Sequence, residues 1–423
     1  MPTFIDLFAG CGGLSLGLTK AGWSGRFAIE RHPDAFATLH DNLLKGPKKG
    51  FTWPRWLEKK AWSIQDLLAC HAADLAKLRG TIDLIAGGPP CQGYSTAGRR
   101  NPKDARNRLV DQYLRFVRIV QPSYLMLENV VGFTAGFVDQ NADGSVTRGR
   151  AASEVLIESL GAMGYSVSSG LVNCADWGVP QRRLRFIALA EHKSIRGSDA
   201  GSDLMDALSG HRNDFLVSRG LPTDRSITAS EALDDLRTAN VQLLPDPEFP
   251  RFSCIKYQRR ATASPYLPCM REGMDAESPN SLRLPKHRPP TAERFAKILA
   301  TSRRGRTLTP KDRADYGLKK HTFIPLAPDQ PSPTVTTLPD DMLHYSEPRI
   351  LTVREMARLQ SFPDWFQFRG KYTTGGAQRA KDCPRYSQVG NAVPPLVGEA
   401  LGCTLKAVMK LSAGSTQRRR DAK

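Results

Sequence analysis

Along the first 190 residues, short apolar runs alternate with longer mixed stretches. Positions 3–7, 26–30, 82–86 and 124–128 are apolar, each close to Gly or Pro, and several of the intervals between them have helical length. Strands joined by crossover helices give this rhythm, so it predicts an α/β fold built on a doubly wound, mostly parallel sheet. From about 191 to 350 the rhythm is lost. It resumes at Thr352-Val353-Arg354-Glu355, a capping-box sequence that predicts a helix start. After Val393-Pro394-Pro395, apolar residues at Leu396, Val397, Ala400, Leu401, Leu405 and Val408 keep helical spacing. The basic tail Gln417-Arg418-Arg419-Arg420 reads as a frayed end, and no internal repeat is present. The pattern divides the chain into 1–190, 191–352 and 353–423.

Composition narrows the class. Sixty Lys and Arg oppose 42 Asp and Glu over 423 residues, a formal charge of +18 that favours a polyanion, nucleic acid first. Hydrophobic content of 40% excludes a largely disordered chain. No uninterrupted apolar stretch approaches the roughly 18–20 residues that span a bilayer, and the N-terminus lacks a basic region followed by an apolar signal core. A soluble, cytoplasmic protein is expected. Charge is uneven in the middle of the chain: 191–250 is net acidic, whereas 251–320 carries 17 basic and 6 acidic groups with interleaved aromatics at Phe252, Tyr257, Tyr266, Phe295 and Tyr316. Eight scattered cysteines include no C-x-x-C pair, so neither a structural zinc site nor a disulfide framework is expected.

Five segments carry candidate chemistry. Phe4-Ile5-Asp6-Leu7-Phe8-Ala9-Gly10-Cys11-Gly12-Gly13 is a strand entering a Gly-rich turn and a helix, and Glu30 ends the next strand, where a carboxylate suits ribose hydroxyls. Taken alone, this pair also fits a nicotinamide dehydrogenase. Ile85-Ala86-Gly87-Gly88-Pro89-Pro90-Cys91-Gln92-Gly93-Tyr94-Ser95 puts a cysteine just past an apolar strand, facing the ligand crevice and followed by a basic stretch through Asn107. Leu125-Met126-Leu127-Glu128-Asn129-Val130 is read as a strand ending in a carboxylate, a candidate proton donor. In Pro180-Gln181-Arg182-Arg183-Leu184-Arg185-Phe186, strand alternation puts Arg183 and Arg185 on one face, toward an anion or a carbonyl oxygen. Gln388-Val389-Gly390-Asn391-Ala392-Val393-Pro394-Pro395 is a loop leading into the last helix.

Taken in order, these motifs resemble the DNA (cytosine-5)-methyltransferase family, AdoMet-dependent and of the restriction-modification type. The resemblance covers the chain to about 190 and again from about 331 to 411, where Pro331-Ser332-Pro333-Thr334-Val335-Thr336 and Arg349 to Gln360 look like elements supporting target recognition. The 191–330 segment matches by position only. The resemblance implies a catalytic domain interrupted, before its C-terminal helix, by a smaller irregular target-recognition domain.

It also implies roles. Cys91 would add to carbon 6 of cytosine, because carbon 5 is too weak a nucleophile until a thiolate turns the ring into an enamine. Glu128 would protonate ring nitrogen 3, Arg185 would contact the carbonyl oxygen, and Arg183 would hold the site or a phosphate. S-adenosyl-L-methionine (AdoMet) would meet Phe8, Gly10, Gly12, Glu30, Arg31, Ile64, Pro90 and Asn391, with Cys11 contributing backbone or packing. The base must leave the duplex to be reached, and the 92–107 segment would close behind it with Ser95, Arg99 and Arg106 on phosphates. Arg259 and Arg260, in the basic stretch, are further candidate DNA contacts. No metal is needed.

The chain departs from the family pattern at four places. Ser63-Ile64 stands where Asp-Ile is frequent, with Asp66 just beyond, and Arg31 stands where an aromatic is frequent. Ala392 replaces a frequent Ser, and 370–386 is extra length with no assigned role. A tRNA methyltransferase of the same fold is disfavoured by Pro90-Cys91-Gln92 and the long middle region. A non-catalytic DNA-binding regulator is disfavoured by Cys91, Glu128 and the cofactor loop, and a dehydrogenase explains neither Pro-Pro-Cys nor the basic stretch. The expected partners are duplex DNA and a restriction endonuclease sharing its site, with the protein a monomer at the nucleoid.

Overall fold

Side-chain alternation along the strands assigns two faces to one sheet. In the computed structural model, which describes residues 1–45, 49–89, 108–136, 138–140, 146–196, 203–275, 278–374, 378 and 381–421, the sheet strands are β1 (Thr3–Leu7), β2 (Ser24–Ile29), β3 (Leu84–Gly87), β4 (Tyr124–Val130), β5 (Tyr165–Asn173) and β6 (Leu184–His192). Their order is β2-β1-β3-β4-β6-β5. The first four run parallel; β6 enters antiparallel to β4, and β5 antiparallel to β6.

Phe4, Leu84, Ala86, Tyr124, Met126, Ile187 and Leu189 pack on one face against helices α1 (Gly13–Lys20), α6 (Leu204–Ser218) and α11 (Pro395–Asp421). Ile5, Leu7, Ile85, Leu125, Leu127 and Ala188 pack on the other, against α3 (Ile64–Cys70), α4 (Arg108–Val120) and α5 (Ala152–Ala162). Both faces are apolar because both are covered, which is why these strands read as continuous runs rather than alternating ones. Helix α2 (Pro33–Leu39) follows β2.

Two sequence expectations shift. The strand at 124–128 continues to Val130, so Glu128 lies inside β4; antiparallel pairing with β6 extends to Val130 opposite Arg185 and carries the strand past the carboxylate. The 191–350 stretch holds more regular structure than its pattern suggests, including α6, α7 (Ala229–Leu233) and α8 (Pro289–Thr301). Phe295, Ile298, Leu299, Leu308, Phe323, Leu343 and Ile350 form a separate small core there, whereas α6 lies on the main sheet.

Thr352 caps α9 (Val353–Leu359) as its sequence demands: its hydroxyl accepts from Glu355 N, and the Glu355 carboxylate accepts from Thr352 N at 2.7 Å. A stretch within 385–411 is long and apolar enough to cross a membrane, but 72% of that window is buried inside the protein. Helices α10 (Arg385–Asn391) and α11 make up this stretch, and α11 packs along α1 so closely that a Cβ on Gly17 would stand 2.4 Å from Pro395 O. Its apolarity is that of a core helix.

Candidate active site

Strand order reverses between β1 and β3, so a crevice opens past their C-terminal ends. The chain leaving β1 turns through positive φ at Phe8 (62°), Gly10 (56°) and Gly12 (94°). For Phe8 that conformation costs on the order of 1–2 kcal/mol, and the turn must be held by its surroundings. Gly10 N–H donates to Glu30 Oε2 at 2.9 Å, and His32 N–H donates to Glu30 Oε1 at 2.7 Å. Burial pushes the Glu30 carboxyl up while these two amides pull against it.

Below the turn, Ser15 Oγ donates to Asp6 Oδ2 at 2.5 Å, joining α1 to β1. Burial pushes the Asp6 carboxyl up to about 7, against the Ser15 bond. Sequence reading assigned Asp6 no role. The Cys11 thiol is buried, donates to Gln388 O at 3.6 Å, and is held by desolvation well above the ordinary thiol range. It packs the turn against α10 and is no nucleophile. Trp62 N donates to Glu30 O at 2.9 Å, which brings Ser63-Ile64 to the end of β2. There Ile64 is buried, Arg31 is exposed, and Asp66 is occupied by the Ser63 hydroxyl at 2.6 Å. Asn391 is exposed at the end of α10.

These residues fit AdoMet. A Cβ on Gly10 would have no atom within 4 Å, so the turn leaves its backbone open to a ligand. Each Glu30 oxygen accepts one amide and keeps a second lone pair for a ribose hydroxyl. Phe8, Gly10, Gly12, Glu30, Ile64 and Asn391 would hold the cofactor, with Arg31 next to the Glu30 carboxylate.

The second half of the site lies on β4 and β6. Arg185 Nε stands 3.0 Å from Glu128 Oε1, with side-chain exposures of 13% and 14%. The chain leaving β3 crosses this pair at Gly88, where a Cβ would meet Glu128 O at 2.7 Å and Oε2 at 3.2 Å. Asn129, buried beside Glu128, donates through Nδ2 to Pro89 O at 3.1 Å. The two residues thus fix the chain up to Pro89. Pro90, Cys91, Ser95, Arg99 and Arg106 lie outside the described residues.

Arg183 and Arg185 have different partners. Arg183 falls between the two-residue strand Gln181–Arg182 and β6. Its buried guanidinium donates to Val335 O, Gly390 O and Ala392 O at 3.3, 3.0 and 3.2 Å. Those three carbonyls occupy it, so it is a brace and not a phosphate ligand. Gln181 works beside it, donating to Leu359 O and Gln360 Oε1 and accepting from Val335 N. Gln360 donates in turn to Val389 O at 2.7 Å. Asn129, Gln181 and Gln360 were missed as functional residues because each serves groups distant in sequence. Arg259 and Arg260 are exposed, and Arg260 O accepts from Arg271. Among the described residues no group of His, Cys, Asp and Glu is placed to hold a metal ion.

A mostly parallel sheet with a Gly-turn and carboxylate at its switch point, and a second set of polar groups past β3, β4 and β6, defines an AdoMet-dependent methyltransferase. The profile of the C-5 cytosine-specific DNA methylase family matches residues 2–407. The chain belongs to that family and uses AdoMet to methylate carbon 5 of cytosine in DNA. It is 29% identical over 408 residues to the type II methyltransferase M.DdeI of Desulfomicrobium norvegicum, covering 94% of this chain and 86% of that one. To the type II methyltransferase M.XorII of Xanthomonas oryzae pv. oryzae it is 30% identical, covering 95% and 84%. Among solved structures it shares its fold with a protein encoded within an Escherichia coli prophage (TM-score 0.64, 24% identity, 97% and 100% covered). It also shares it with the Dnmt2 methyltransferase of S. pombe (TM-score 0.52, 15% identity, 96% and 99% covered).

Proposed function

We propose that the protein methylates a cytosine flipped out of one specific duplex DNA sequence, through a covalent adduct with Cys91, as the modification half of a restriction-modification system. The observation that carries this reading is the Glu128–Arg185 pair directly beneath Gly88 and Pro89, at the end of the chain that leads to Cys91.

Cys91 adds to carbon 6 of the base, and the ring becomes an enamine nucleophilic at carbon 5. Charge that develops on the ring is relieved at nitrogen 3 by Glu128, held by its Arg185 partner. Arg185 keeps further N–H donors for the carbonyl oxygen of the base. Arg183 holds the C-terminal end of α10 and the 335 segment to the start of β6, and so keeps Arg185 and Asn391 in a fixed relation. Bound AdoMet supplies an electrophilic methyl on a sulfonium centre, and the turn at Gly10 with Glu30 orients it. Loss of the carbon 5 proton and expulsion of Cys91 restore the enzyme. Flipping the base costs a few kcal/mol, recovered in contacts to the base and to phosphates.

Recognition is assigned to 191–352, apart from α6 and α7, which pack on the main core. Arg259 and Arg260 contact phosphates, and neutralising both weakens DNA binding and flattens its salt dependence. The protein acts as a monomer on the bacterial chromosome, beside an endonuclease that cuts the same sequence when it is unmethylated.

Bisulfite sequencing of DNA from an expressing strain tests the reading. Protected cytosines confined to one short sequence are expected, together with resistance of that DNA to cleavage at the same sequence by the cognate endonuclease. Protection scattered without sequence context, or none in DNA with protected cytosines in tRNA instead, would overturn it.

A further inference from the structure

The basic stretch of the middle region is not uniform, and several of its cations are engaged within the protein. Lys311 pairs with Asp315 at 2.9 Å, Lys320 with Asp340 and Asp341 at 2.8 and 2.7 Å, and Arg313 donates to Leu308 O and His321 O. The turn that follows α8, Ser302-Arg303-Arg304-Gly305-Arg306, is different. Arg304 points inward and donates to Tyr345 O and Leu299 O, both at 2.5 Å. Gly305 holds φ 76°, its N–H donates to Pro325 O at 2.8 Å, and a Cβ there would press on Gln330 Oε1 at 3.0 Å. The inward arginine and the left-handed glycine turn the residues on either side of them outward. Arg303 and Arg306 are exposed, and neither guanidinium donates a hydrogen bond among the described residues.

The same turn is fastened to the active-site strand. Arg182 donates to Gly305 O at 3.2 Å and to Gln330 Oε1 at 3.1 Å, and its own carbonyl accepts from Thr334 Oγ1 at 2.9 Å. Ser332 and Pro333 pair with Gln181 and Arg182 as a short parallel bridge. Arg182 stands three residues before Arg185, at most about 10 Å of extended chain. Two outward arginines on a rigid turn are therefore anchored close to the pair that receives the target base.

We propose that Arg303 and Arg306 read base edges, guanine first, at positions flanking the target cytosine, and that Arg182 positions the turn that carries them. An exposed guanidinium on a fastened turn matches the O6 and N7 acceptors of guanine in the major groove, which is the commonest direct readout by a side chain. Arg259 and Arg260 lie on a segment tied instead to Arg271, with no such link to β6 among the described residues. The inference rests on the proposed methylation of duplex DNA and adds the residues that select its sequence.

The test compares wild type with Arg303→Ala, Arg306→Ala and Arg182→Ala on a pool of duplexes with randomised positions around one cytosine, read by bisulfite sequencing. AdoMet affinity and melting temperature serve as controls for folding. For each of the two turn variants, selectivity at one defined position flanking the cytosine should relax by about ten- to a hundredfold, the other positions keeping their preference. Arg182→Ala should blur the same positions more weakly while AdoMet affinity stays at the wild-type value. An unchanged sequence preference in both turn variants overturns the proposal, and so does uniform weakening on all sequences with a reduced salt slope, the signature of phosphate contact. If the wild type itself methylates no duplex cytosine, the proposed function has failed and not this assignment alone.

Discussion

Arg185 Nε and Glu128 Oε1 face each other at 3.0 Å across neighbouring antiparallel strands, both side chains largely withdrawn from water. An ion pair of this kind fixes the carboxylate's orientation and leaves its second oxygen toward Gly88. Replacing Glu128 by Gln removes the ionisable group that would exchange a proton with ring nitrogen 3 while keeping its shape. Turnover should fall about 10²–10⁴-fold, and AdoMet affinity, measured by calorimetry, should stay within about twofold. Arg185→Lys should also be impaired, because an ammonium cannot reproduce the guanidinium's fixed donors. A Glu128→Gln enzyme with wild-type turnover would remove the carboxyl from the mechanism.

Asp6 gives a pH prediction. Its carboxyl is buried, bonded to Ser15, and raised from 3.8 to about 7 in the folded protein. The native state therefore keeps a proton that the unfolded chain releases above about pH 4. The Asp6 contribution to stability is fully present below that value, falls as pH rises from about 4 to 7, and is constant above. Asp6→Asn carries no such dependence. The difference in melting temperature between the two proteins should move in favour of the asparagine variant across that window and level off beyond it. A difference independent of pH would show that Asp6 is ionised throughout.

Two glycines on the same turn-and-helix unit should fail in opposite ways. Gly17 lies against Pro395 O and Glu399 N, where a Cβ would stand at 2.4 and 2.5 Å, so Gly17→Ala must separate α1 from α11. It should lower stability by about 1–3 kcal/mol or more. Gly10 has open space around its missing Cβ but a φ of 56°. Gly10→Ala should cost about 1–2 kcal/mol of backbone strain and weaken AdoMet binding more than its small loss of stability explains. Calorimetric binding and chemical denaturation of both variants separate the two effects.

The 191–352 segment is tied to α9 by a buried ionic hub. Arg358, fully buried, pairs with Asp364 at 2.8 Å and with Asp235, which also accepts from Arg271 at 2.8 Å. Burial pushes the Asp235 carboxyl up, but Arg358 and Arg271 outweigh it and hold the group below its ordinary value. That stabilisation is present above the ordinary aspartate value and is lost as pH falls through the folded one. Arg358→Ala leaves the buried Asp364 without its ion-pair partner and Asp235 with Arg271 alone, and should cost about 3–5 kcal/mol, measured by denaturation. A loss under about 1 kcal/mol would mean the hub relaxes freely.

Much of this was legible in the sequence, for physical reasons that differ by element. The strands of the sheet were visible because both its faces are covered, so their apolar runs are uninterrupted. The α9 start was visible because Thr352 and Glu355 satisfy each other locally. The carboxylates Glu30 and Glu128 were found because each follows or sits in an apolar run where a charge is conspicuous. What was hidden is contact between distant segments. Asn129 holding Pro89, Gln360 holding Val389 and Arg182 holding Gly305 leave no periodic signal, since each side chain serves a carbonyl far along the chain. The extension of β4 beyond Glu128 was hidden likewise, because its partner β6 is antiparallel and lies more than fifty residues away.

The central claim, that Cys91 is the nucleophile of a cytosine carbon 5 transfer, is tested most directly by incubating wild type and Cys91→Ser with duplex DNA and methyl-labelled AdoMet and digesting the DNA to nucleosides. Label in 5-methylcytosine from the wild type, and none from Cys91→Ser although it still binds AdoMet, is the predicted result. Label from Cys91→Ser at the wild-type rate, or wild-type label on adenine or on the exocyclic nitrogen of cytosine, would contradict it.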